Sequence, residues 1–172
     1  MENYICINGK KAELTEEQMK ALGIELPKVN PFARVCNKAN DFYSYYYISG
    51  DGRVNETVDS GYNNGVGRDD LHYRIANYCT NKAILEQRAL HETLNRLLWR
   101  YSMEHDGDKI NWNNISDKHA IYYKNDTKKY KVACWQTIYY SGNVYFYTAE
   151  AAESAIKEII EPFMKAHPEF KW

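Results

Sequence analysis

Over residues 81–101, Leu90, Leu94, Leu97, Leu98 and Tyr101 recur at three- and four-residue spacing on one stripe, which requires a long amphipathic helix. Glu92 stands one turn before Arg96 and supports that helix from its polar side. A stripe of this length needs an apolar surface to cover it, and the flanking segments offer sheet. Tyr43 to Ile48 is dense in strand formers, and the turn Ser49-Gly50-Asp51-Gly52 leads to a second, weaker strand around Arg53 to Val58. After the helix, Ser102 to Lys118 reads as a polar connection. Three short strands follow as a meander, through Ala120 to Tyr123, Tyr130 to Gln136 and Val144 to Tyr147, with turns at Asn125-Asp126 and Ser141-Gly142-Asn143. A last helix runs from about Ala149, capped by Thr148. It turns Ala152, Ile156, Ile159, Ile160 and Phe163 inward, and Pro162 kinks or ends it.

The chain opens on a hairpin in which Tyr4, Cys6, Ala12 and Leu14 flank Asn8-Gly9, a dipeptide suited to the positive φ values of a tight turn. Thr15 and Gln18 stand at capping-box spacing before a short helix that Gly23 ends. Pro27 and Pro31 mark a linker. These signals predict an α+β fold, with antiparallel sheet packed by two main helices. Residues 1–30 form an N-terminal hairpin and short helix, and residues 31–172 the main domain. Tyr78-Cys79-Thr80 with Glu86 mirrors Phe146-Tyr147-Thr148 with Glu153, each opening a helix, although the first copy has one extra residue between Thr and Glu. A duplicated strand-strand-helix unit is therefore predicted.

Composition narrows the function. A chain of 172 residues is long enough for one compact core, and 44% apolar with 26% charged residues is ordinary globular usage. Sixteen tyrosines are unusual; they suit half-buried sheet faces and recognition surfaces alike. A net charge of −1 gives no chain-wide field to attract a polyphosphate, which leaves room only for a local basic patch. Cys6, Cys36, Cys79 and Cys134 contain no C-x-x-C, so neither zinc knuckle nor redox pair is indicated, and reduced, mostly buried cytosolic thiols are expected. The first ten residues lack a basic region followed by an apolar stretch, and no apolar run reaches membrane-spanning length, so a cytoplasmic location is expected.

No motif carries a known chemistry. His91-Glu92 begins like H-E-x-x-H, but the second ligand position is Asn95. The stretch Gly61 to Asp70 has the glycines of a phosphate cradle, yet it ends Gly67-Arg68-Asp69-Asp70, where an acidic pair repels phosphate, so it reads as an exposed loop. The five histidines fall in different predicted elements. Neither catalytic residue, metal nor cofactor is predicted. Strand alternation puts Tyr43, Tyr45 and Tyr47 on one face and Tyr46 alone on the other. With Arg34 and Lys38 nearby, Tyr46 becomes the candidate for stacking on a nucleic acid.

The run Ile75-Ala76-Asn77-Tyr78-Cys79-Thr80, then Glu86-Gln87-Arg88-Ala89-Leu90-His91-Glu92 and Leu97-Leu98-Trp99-Arg100, resembles uncharacterised proteins of phages and prophages of low-GC Gram-positive bacteria. The closing Val144 to Glu153 segment with Ala155-Ile156, together with Trp112 and Ile121-Tyr122-Tyr123, fits the same resemblance, which covers residues from about Tyr43 to Phe163. It transfers no activity. It implies an accessory gene of a mobile element acting in the host cytosol, as inhibitors of host defence do, anti-CRISPR proteins among them. The expected partner is a host protein such as a Cas nuclease, with a nucleic acid as the alternative. Arg74, Asn77, Glu86, Gln87 and Arg88 cluster where a predicted strand turns into the long helix, and they are the candidate partner-binding residues.

Overall fold

The computed structural model describes residues 4–7, 10–23, 30–34, 42–59, 67–113, 118–136 and 140–171. Strands β1 (Tyr4–Ile7) and β2 (Lys10–Glu13) pair antiparallel, as predicted. Helix α1 (Glu16–Ala21) follows, with both bonds of the Thr15–Gln18 capping box formed and Gly23 left-handed at φ 68°. Asn8-Gly9 and Pro27 lie outside the described residues.

Strands β3 (Tyr43–Ile48) and β4 (Val54–Asp59) pair antiparallel in full register from Tyr43↔Asp59 to Ile48↔Val54. Helix α2 (Arg68–Arg74) comes next and corrects the prediction of a loop through Asp70. Its first turn holds Asp69 and Asp70 and its last turn Arg74, each suited to the partial charge at that helix end. The long helix α3 spans Lys82–Glu104 and is capped by Asn81, whose side chain accepts from the Ile84 N–H. Thr80, which the repeat aligns with the Thr148 cap, instead joins its N–H and hydroxyl to the carbonyl of Pro31.

Strands β5 (Lys118–Lys124), β6 (Lys129–Trp135) and β7 (Tyr145–Phe146) form the second main sheet in the order β6-β5-β7. A meander would place β7 beside β6; the chain instead returns to the far edge of β5, pairing Phe146 with His119 and Tyr145 with Ala120. Helix α4 (Ala149–Ala155), capped by Thr148, runs through a π turn (Ile156–Ile160) into α5 (Glu161–Ala166). Pro162 therefore does not end the helix. In a regular α-helix its ring would crowd the carbonyl of Glu158, and the wider turn just before it relieves that clash.

The strand-strand-helix unit is built twice. In each copy the residue two before the helix cap pairs with the first strand of the preceding hairpin, Cys79 with Tyr46 and Phe146 with His119. The caps are Asn81 and Thr148, so Glu86 and Glu153 stand at equal distances from them and the extra residue of the sequence comparison disappears.

Helix α3 joins the two units. Its first half packs Leu85 and Ala89 on Ile48 and Cys79, with Tyr46, Val54 and Phe32 at the margin. Its second half packs Leu94, Leu98 and Tyr101 against Phe146, the alanines of α4, Ile160 and Phe163. Both helices thus cover antiparallel sheet, as their stripes require. A smaller cluster of Ile110, Ala120 and Tyr145 covers part of the other face of the β6-β5-β7 sheet, with Trp135 against it. Gly107 is required there, because a Cβ would sit 2.6 Å from the Ser102 carbonyl oxygen while the Ser102 hydroxyl donates to the Tyr145 carbonyl.

Candidate functional site

Pleating sends Tyr46 and Ile48 toward α3, and Tyr45 and Tyr47 to the opposite face of the hairpin, which α2 covers. The cover is polar. Arg34 grips fully buried Asp59 bidentately, Nε donating to Oδ2 at 2.7 Å and Nη2 to Oδ1 at 2.9 Å, and its Nη1 donates to Asp70 Oδ1. The bonds from Asp59 hold the Arg34 guanidinium above its ordinary pKa, against the opposing effect of burial and with help from Asp70. The second oxygen of Asp70 is buried without a hydrogen-bond partner among the described residues.

One step along α2, the buried Tyr45 hydroxyl donates to Asp69 Oδ1 at 2.8 Å. Its single hydrogen is then committed, so the 2.8 Å contact with His72 Nδ1 has the imidazole donating. Burial, and then the bond to Asp69, raises the Tyr45 pKa. Burial lowers that of His72, with Asp69 opposing and Arg68 reinforcing the shift. Tyr47 stacks on His72 with centroids 4.3 Å apart, and Tyr78 on Tyr45 at 4.2 Å.

Asp69, Asp70 and His72 therefore face the protein, and the apolar face of α2 looks out. Leu71 and Ile75, one turn apart, are 54% and 57% exposed, the reverse of ordinary helix amphipathicity. Arg68 and Arg74 flank them, both exposed, and neither makes an ion pair among the described residues. This inverted helix is the feature that sequence reasoning missed. Its inward face has no apolar period, so the only available signals were Asp69 and Asp70 at one end and Arg74 at the other.

The structure divides the predicted partner-binding residues. Arg74 lies exposed on the outward ridge of α2. Asn77 bonds both backbone groups of Ile48 through its side chain. Arg88 bonds Glu92 and the Ala76 carbonyl, tying α3 to the segment that leaves α2. Gln87 holds the C-terminal segment, donating to the Glu169 carbonyl at 2.8 Å and accepting from the Lys171 N–H at 2.9 Å. Glu86 is exposed and pairs with Lys82. Glu86 and Gln87 line a groove of about 990 Å³ between the β3–β4 turn, the first turns of α3 and the chain end, away from Arg74. Tyr46, the predicted stacking residue, is half-buried and packs beside Ile48 and Cys79.

His91 bonds the Lys171 carbonyl, and Glu92 bonds Arg88 and Arg96. Among the described residues, no group of His, Cys, Asp and Glu is arranged to hold a metal, and no helix is long and apolar enough to cross a membrane. Cys79 is a buried thiol as expected, whereas Cys134 is exposed. No family model matches the chain, and no curated protein or solved structure matches it.

Proposed function

We propose that this chain is a phage or prophage accessory protein that acts by binding a host protein in the cytosol, as an anti-defence factor whose most concrete target is a Cas nuclease. The mobile-element context rests on the sequence resemblance. The binding mode rests on one observation, the outward ridge of α2. Leu71 and Ile75 present apolar surface, and Arg68 and Arg74 flank it without ion partners among the described residues. An apolar centre rimmed by arginine is the composition of a contact hot spot. By charge complementarity, the partner surface is an apolar depression bordered by carboxylates.

The test is DNA cleavage by purified Cas nucleases of low-GC Gram-positive hosts, titrated with the wild-type protein and with a Leu71→Ser/Arg74→Glu variant. Both substituted side chains are exposed, so the melting temperature should not move. The proposal expects the wild type to inhibit at least one nuclease and the variant to need about tenfold more protein or more. Equal inhibition by the folded variant would remove α2 as the contact. Absence of inhibition across the panel would remove the Cas nuclease as target.

A further inference from the structure

We infer that the open half of the outer β5–β6 face binds single-stranded nucleic acid, with Tyr122 stacking on a base and surrounding lysines holding the phosphates. Alternation puts Ile121, Tyr130 and Val132 on the core side, so Lys118, Ala120, Tyr122 and Lys124 of β5 share the other face with Lys129, Lys131, Ala133 and Trp135 of β6. At the β7 end this face is covered by Ile110 and Tyr145. At the hairpin end it is open. Tyr122 is 41% exposed there, directly across from exposed Lys131.

The register then opposes Lys124 to Lys129, and Lys128 extends from the turn in the left-handed region at φ 54°. Like charges directly opposite one another destabilise a sheet unless an anion lies between them. Asp126 meets Lys124 at 2.9 Å, but Lys128, Lys129 and Lys131 make no ion pair among the described residues. Lysines on an edge strand also deter strand addition. That role does not explain Tyr122 and Lys124, because β5 is the central strand.

Beyond Tyr122, Ala120 is buried beneath Ile110 and Tyr145 while Ala133 opposite it is half-buried, and Trp112, 54% exposed, meets Tyr145 edge on at 5.7 Å. Basic side chains, an exposed ring on the open half and a second exposed ring at the covered end suit a splayed single strand, whose bases offer π-faces that a duplex keeps stacked. An acidic protein would use the lysines but not the ring.

Fluorescence anisotropy with a labelled mixed-sequence DNA 12-mer tests this directly. The wild type should bind at low salt and weaken as salt rises, with a log–log slope of about −2 to −3 for four lysines on a single strand. Lys129→Glu/Lys131→Glu should abolish binding. Tyr122→Ala should weaken it about tenfold with little change in slope, and Tyr122→Phe should bind as the wild type does. Thermal melts confirm folding of each variant. No binding at low salt, equal binding by Tyr122→Ala, or an equally labelled polyglutamate binding as tightly as the 12-mer would each overturn the proposal.

Discussion

Asn77 pairs with Ile48 as a strand would: its Nδ2 donates to the Ile48 carbonyl and its Oδ1 accepts from the Ile48 N–H, each at 2.8 Å. Ile48 follows Tyr46 on the same backbone edge of β3, where Cys79 has already paired. The side-chain amide thus extends a ladder that the main chain cannot, because Ala76 turns left-handed at φ 55° just before it. Asn77→Ala leaves two strand groups without these bonds beside a buried side chain, and it should cost about 2 kcal/mol or more. Urea unfolding measures this. A loss under about 0.5 kcal/mol would mean that water replaces the amide at no cost.

Arg34 is the only described partner of Asp70, and it also grips the buried Asp59 carboxylate bidentately. Removing one member of a buried ionic network leaves uncompensated charge, so Arg34→Ala should cost about 3–5 kcal/mol. Adding Asp59→Asn and Asp70→Asn to that variant should restore part of the loss. Equilibrium denaturation of both variants decides the matter; a single substitution that costs nothing, or a triple variant no better than the single, would contradict the network.

Because burial lowers the His72 pKa in the folded protein, the unfolded chain binds more protons once pH falls below the ordinary histidine value of about 6.5. Stability from this group is complete above that pH and is lost as pH falls toward the lower folded value. Tyr45, Tyr47, Asp69 and Arg68 are the groups that face or act on the ring. Melting temperature should therefore drop between pH 7.5 and 5.5 by more in the wild type than in His72→Gln. Parallel curves for the two proteins would show that the imidazole titrates as in water.

Much of the scaffold was legible because its signals are local. The α3 stripe, the Thr15–Gln18 box and the Thr148 cap involve residues within a turn or two of one another, and each forms as read. Sheet order was not legible, since the nine residues between Trp135 and Tyr145 are long enough to reach either the outer edge of β6 or the far edge of β5. Tyr145 and Phe146 bury their side chains on opposite faces of the sheet when paired with Ala120 and His119. The candidate site was legible only at Arg74. Arg34 meets Asp59 and Asp70 across long stretches of chain, and no periodicity announces a helix whose inward face is ionic. For the same reason the sequence shows Asn77, Gln87 and Arg88 only as polar residues around the start of the long helix, whereas each bonds backbone atoms distant in sequence.

The π turn fixes where the C-terminal helix tolerates a change of length. Ala155 and Ile160 are both fully buried yet five residues apart, a separation that a regular α-helix would spread by about 140° around its axis. Closing the turn over five residues lets them share the core. A one-residue deletion inside this turn would leave a four-residue separation and keep both side chains in phase. The same deletion elsewhere in α4 or α5 would rotate everything beyond it by about 100°. Pro162 opposes the shortened form, because its ring would then sit within an uninterrupted α-helix. The surplus residue and the proline are therefore coupled in one direction, and a homologue that lacks the surplus residue should lack the proline as well.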